Sequence, residues 1–224
     1  MTQRNRRYLF YAFSRSFLIS LLLVVAVFGV LSGLIYLMEV DNGAEIFEGI
    51  RPLFQLIALL PALLYYETAG ISLSLSNTRR IYLINFLIMT LLLVTLLTLV
   101  TELAHIVWLG LIRLARGQAG GAYQYSWPVV IDSFGRLLAI SLFTGGLSSL
   151  AYRQKKTRTS GAGLVGYFLL GLVTYFIVPA ARILIAGDPL GEVIGLIVAS
   201  IIGLSLLVWN TLHMEPKSRL GGVL

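Results

Sequence analysis

Few residues in this chain could do chemistry, and most of them interrupt long apolar text. Glu102 and His105 stand three apart, one helical turn, so an acid and an imidazole share one helix face. That pairing suits a proton relay, or simply two polar groups at a membrane surface. Asp132 and Arg136 stand four apart, the spacing of a local ion pair at a helix end or of a contact to a charged substrate. Glu67 precedes the polar run Ser76, Asn77 and Thr78; it either reaches a membrane interface or partners Arg79, Arg80 or a docked protein.

The usual catalytic signatures are missing. There is no G-x-x-x-x-G-K-[ST] phosphate loop, no G-x-S-x-G elbow and no H-E-x-x-H pair. Cysteine is absent, which removes disulfides, thiolate metal sites and cysteine nucleophiles. The only histidines, His105 and His213, are expected near opposite membrane faces and do not make a zinc site or a serine–histidine pair. No catalytic residue, resident metal or cofactor is expected in this chain.

The elements that must position these residues are membrane spans. Of the 224 residues 58% are apolar and only 12% charged, where a soluble domain carries roughly a quarter charged. Crossing the hydrocarbon takes about 20 apolar residues. Six stretches qualify: 17–38, 52–75, 81–101 (with its helix continuing past His105 towards Ile112), 128–152, 161–184 and 193–212. The first exceeds the apolar core of a signal peptide and lacks an A-x-A-like cleavage site, so it reads as a retained span. The connections between spans are too short for a folded domain, leaving 1–224 as one transmembrane domain with no soluble domain.

Charge placement orients the spans. With the N-terminus inside, the inner segments hold Arg4, Arg6, Arg7, Arg15, Arg79, Arg80, Arg153, Lys155, Lys156, Arg158, Lys217 and Arg219. The outer side and outer helix ends keep Arg51, Arg113, Arg116, Arg136 and Arg182. Both termini are therefore expected inside, and the net charge of +7 is a topology signal that implies no nucleic-acid partner. Residues Arg4 to Ser16 mix arginines with Tyr8, Phe10, Tyr11 and Phe13. They suggest a short helix lying on the anionic inner membrane surface, or an unstructured positive flank. Trp108, Trp127 and Trp209 fall at span ends, as an aromatic belt would place them.

Small residues mark packing faces. Gly191, Gly195, Ala199 and Gly203 recur every four residues in the sixth span, and Gly29 and Gly33 form a G-x-x-x-G in the first. The sixth-span stripe is expected to pack within the chain, and the first-span pair against a neighbour or a second subunit. Gly145 and Gly146 thin the fourth span, while Pro61 and Pro179 can kink theirs.

A basic N-terminal segment, six spans with both ends inside and no ATPase signature resemble the permease subunits of ABC-2-type exporters. The stretch from Gly70 to Leu87 carries the resemblance, with a glycine, small polar residues and the basic pair Arg79 and Arg80 ahead of the aromatic Tyr82. In that family the turn between spans two and three rests in a groove of a separate ATP-hydrolysing subunit. The resemblance implies that Ser76, Asn77, Thr78, Arg79 and Arg80 make that contact, with Glu67 supporting it. It implies a second inner contact at Arg153, Lys155, Lys156 and Arg158. ATP and Mg would then be bound by the partner ATPase, and the permease would pair with a second copy or a paralogue in the lipid of a bacterial plasma membrane.

The connection from Ile185 to Glu192 is short beside the outer helices common in the family, which makes the chain more similar to compact permeases that export amphipathic or antimicrobial peptides. Two other readings stand beside this one. The first is a six-span substrate-binding subunit of a small-molecule importer, and the second a non-transporting membrane scaffold or immunity protein.

Overall fold

The computed structural model describes residues 3–37, 56–74, 78–116, 127–154 and 189–213. Within them the protein is all-helical: α1 (Gln3–Leu37), a 3-10 turn (Leu56–Leu59) running into α2 (Leu60–Ser74), α3 (Arg79–Arg116), α4 (Trp127–Gln154) and α5 (Pro189–Leu212). Among the described residues three helices are long and apolar enough to cross a membrane, within α3, α4 and α5. They correspond to the third, fourth and sixth expected spans. The fifth, 161–184, lies outside the described residues.

The helix ends follow local rules. Thr78 caps α3: its carbonyl accepts the Tyr82 amide at 3.1 Å and its Oγ1 accepts the Ile81 amide at 3.4 Å. Pro189 opens α5, where a missing amide hydrogen costs nothing. Pro61 occupies the first turn of α2, immediately after the 3-10 segment, so it marks a change of helix type at the start of α2.

One expectation is corrected. The N-terminal segment is not a separate helix on the membrane surface, because α1 runs without a break from Gln3 to Leu37. No glycine or proline precedes Gly29 to end it. Leu9 and Phe13, one turn apart, are buried in the core, and the Phe13 ring meets Phe86 edge-on at 5.6 Å. Arg7, Phe10, Tyr11 and Arg15 stay exposed on the other side.

The bundle is organised around α4. From Ser133 to Tyr152 no residue of this helix is exposed, although its span is the least apolar of the three. Its small polar residues face neighbouring helices, where they donate to backbone. Ser141 Oγ donates to the Ala58 carbonyl at 2.9 Å and Ser148 Oγ to the Ala62 carbonyl at 2.6 Å, joining α4 to the 3-10 turn and α2. In hydrocarbon such contacts are worth about 0.6 kcal/mol each on average.

The broadest contact lies between α4 and α5. A Cβ on Gly146 would collide with the Gly203 carbonyl oxygen, and one on Gly203 would meet Leu142 and Phe143 backbone atoms at 2.5 Å. Further along, Ser149 Oγ lies 3.2 Å from the Leu206 carbonyl and accepts from Asn210 Nδ2 at 3.2 Å. These pairs ascend together in both helices, so α4 and α5 are parallel. Gln154 and Pro189 therefore stand at opposite ends of the bundle. The small-residue stripe of α5 is used only in part: Gly203 is at the contact, whereas a Cβ on Gly195 would meet nothing within 4 Å. The Gly29 and Gly33 faces of α1 are likewise open.

Candidate functional site

Of the residues singled out by the resemblance, those whose side chains are described stand at the start of α3. Ser76 and Asn77 lie outside the described residues, as do Lys155, Lys156 and Arg158; the side chains of Glu67, Arg153 and Gly191 are outside them too. Thr78, Arg79 and Arg80 can be placed, and the three do different things. Thr78 is the α3 cap. Arg79 reaches across to α5, where an η nitrogen donates to the Leu212 carbonyl at 2.9 Å. That carbonyl is among the last four of α5, which have no partner within the helix, and its negative helix end favours a cation. Arg80 is exposed. The basic pair is thus one internal tie and one outward charge.

Beneath this turn lies an aromatic and hydroxyl cluster that sequence reading missed. The ring of Tyr65 on α2 meets Phe86, Tyr82 and Tyr152 edge-on at 5.2, 5.8 and 6.4 Å, a geometry favoured by ring quadrupoles. Its hydroxyl lies 2.7 Å from Thr211 Oγ1 on α5. Thr211 already donates to the Leu207 carbonyl at 2.6 Å, so Tyr65 is the donor. By the same reasoning Tyr82 donates to Thr68 Oγ1 at 3.1 Å, because the Thr68 proton goes to the Leu64 carbonyl. Tyr65, Tyr82, Thr68 and Thr211 are all fully buried. The visible signal was a set of hydroxyls at helical spacing inside apolar runs: Ser141, Thr144 and Ser148 on α4, and Tyr65 and Thr68 on α2.

The effect is to join the α2 helix, the start of α3 and the end of α5. α2 is tied to α3 through Thr68 and Tyr82, and to α5 through Tyr65 and Thr211. α3 is tied directly to α5 through Arg79 and Leu212.

At the far end of the bundle the other polar pairs take their places. Arg136 Nε donates to Asp132 Oδ2 at 2.8 Å, a half-exposed i,i+4 ion pair of the local kind. Glu102 and His105 are not at the surface: both are buried, and Ser133 Oγ on α4 lies 3.3 Å from Glu102 Oε1. Trp108, one turn further, is also buried, while Trp127 and Trp209 are exposed as belt residues are. Among the described residues no group of His, Asp and Glu could hold a metal ion.

No protein-family model, no curated protein and no solved structure matches this chain.

Proposed function

We propose that the chain is the membrane permease subunit of an ATP-driven exporter of the ABC-2 type, moving amphipathic peptides or similar amphipathic substrates. A separate cytoplasmic subunit binds ATP and Mg and hydrolyses the nucleotide. The observation that carries this reading is the start of α3, anchored to α2 and to the end of α5. It offers one outward cation, Arg80, and hands any push on it to α2, α3 and α5 through buried bonds. Helix shifts of about 1–2 Å are an ordinary currency of such coupling.

The parallel packing of α4 and α5 supports the same architecture, since parallel neighbours need a crossing between them, as a six-span chain with both ends inside provides. The positions of Arg7, Arg15, Arg79 and Arg80 support placing the turn end in the cytoplasm. Two protomers side by side would enclose the substrate route. The open faces at Gly29 and Gly33 are consistent with a neighbour there, whether a second copy or a paralogue.

Purification from its host with the associated ATPase, followed by ATP hydrolysis and transport assays in lipid, tests the reading. Arg80→Glu is expected to break the contact and uncouple hydrolysis from transport, with the bundle still folded. Arg79→Gln is expected to destabilise the α3–α5 tie. Unchanged coupling in Arg80→Glu would remove the basis for the assignment. Stoichiometric binding of one small ligand with no ATPase present would favour an importer's binding subunit.

A further inference from the structure

The far end of the bundle holds an acid and an imidazole that ATPase coupling does not use. Glu102 and His105 lie on adjacent turns of α3, inside the apolar stretch from Arg79 to Gly110, and both are more than nine-tenths buried. An ionisable side chain in a membrane segment is costly to keep and faces the interior when it has a role. Ser133 crosses from α4 to Glu102 Oε1 at 3.3 Å. The other buried hydroxyls on this face of α3 are committed elsewhere: Thr98 donates to the Val94 carbonyl at 2.9 Å and Thr101 to the Leu97 carbonyl at 2.8 Å.

We propose that Glu102 and His105, with Ser133 opposite them, form a proton-binding site at the α3–α4 contact, whose occupancy sets how α3 is held against α4. The chemistry is direct. An ionised Glu102 only accepts, and takes the Ser133 hydroxyl proton as its bond across the helices. A protonated Glu102 is a weaker acceptor and gains a proton to donate, so the bond to α4 loosens or reverses. His105, one turn away, is a second group on this helix that can take up or release a proton.

Among the described residues the other charges on the elements at this end are Asp132 and Arg136 on α4, Arg113 and Arg116 in the last turns of α3, and Glu192 at the opening of α5. Asp132 and Arg136 satisfy one another at 2.8 Å. This proposal does not depend on the transport reading, because a proton site can be read on the isolated chain.

The test uses the full chain in phospholipid nanodiscs and infrared difference spectra between about pH 8 and about pH 5. A C=O stretching band of a protonated, buried carboxyl is expected in the wild type and lost in Glu102→Gln; that difference separates Glu102 from the other acids. His105→Gln and Ser133→Ala remove a neighbouring cation and a donor to the ionised form. Each is expected to move the midpoint of the band to higher pH, by about one unit for His105→Gln. A second readout is the emission of Trp108 with Trp127→Phe and Trp209→Phe in place, which should titrate in the wild type and lose its transition in His105→Gln. The proposal is overturned if Glu102→Gln leaves the carboxyl band intact. It is equally overturned if Ser133→Ala and His105→Gln both leave the band midpoint and the Trp108 titration where they were.

Discussion

Gly203 and Gly195 lie two helical turns apart on α5, carry the same side chain and belong to the same small-residue stripe, yet they should respond oppositely to alanine. A Cβ at Gly203 meets the Leu142 carbonyl group and the Phe143 Cα at 2.5 Å, all backbone atoms that no rotamer change can move. Relief to an ordinary contact of 3.4 Å requires α4 and α5 to part locally by roughly 1 Å. The contacts between Ser149 and Leu206 and between Asn210 and Ser149, already at 3.2 Å, then pass beyond hydrogen-bond length. Overpacking costs about 1–3 kcal/mol and the lost Asn210–Ser149 bond about 0.6 kcal/mol, the Ser149 proton itself going to the Gly146 carbonyl. Alanine's better helix propensity returns about 1 kcal/mol. The net expectation for Gly203→Ala is a loss of about 1–3 kcal/mol. Gly195→Ala has open space and keeps only the propensity gain, so it should be neutral or stabilising by up to about 1 kcal/mol. Reversible unfolding in mixed detergent micelles, read by helical circular dichroism, compares the two directly. Equal stability of the two variants would refute the parallel α4–α5 contact through Gly146 and Gly203.

Other contacts give sharper local readings. Ser141→Ala and Ser148→Ala remove side-chain bonds from α4 to the 3-10 turn and to α2 respectively, and each should cost about 0.6 kcal/mol, with near-additive loss in the double variant, by the same unfolding assay. Tyr65→Phe keeps the ring packing and loses only the bond to Thr211, so a fall of about 1 kcal/mol is expected, matched by Thr211→Val and not doubled when the two are combined. Asp132→Asn breaks a half-exposed ion pair and should change stability by less than about 1 kcal/mol, with less effect still at high salt.

The apolar runs made α3, α4 and α5 legible in outline, because hydrocarbon thickness fixes span length. They did not reveal which face of each helix is covered. The fourth span is the least apolar and therefore the hardest to read as a span. In the structure it has no exposed residue from Ser133 to Tyr152, and Ser141, Ser148 and Ser149 meet the backbones around them. Arg79 and Arg80 look equivalent in sequence; one of them is used internally because a carbonyl 133 residues away stands beside it. Thr78, read as a contact for a partner, is held by its own helix start. Glu102 and His105 were placed near a surface from their distance to the span end. Since α3 runs on to Arg116, they sit inside the helix, and Glu102 meets Ser133 of α4. The N-terminal segment carried the composition of a surface helix, but nothing in its sequence breaks the helix before Gly29, and its Leu9 and Phe13 are drawn into the core.

The assignment as a permease rests on Arg80 meeting an ATPase, and the absence of cysteine allows that contact to be read without background. Arg80→Cys introduces a unique thiol at an exposed position at the start of α3, and Leu103→Cys a unique thiol at an exposed position towards the far end of α3. A thiol-reactive photo-crosslinker on each, with the co-purified ATPase present in lipid, reports which end is in contact. The account predicts a crosslink to the ATPase from position 80 that changes in yield when ATP is added, and none from position 103. No ATPase crosslink from position 80, or the same yield from both positions, would contradict it.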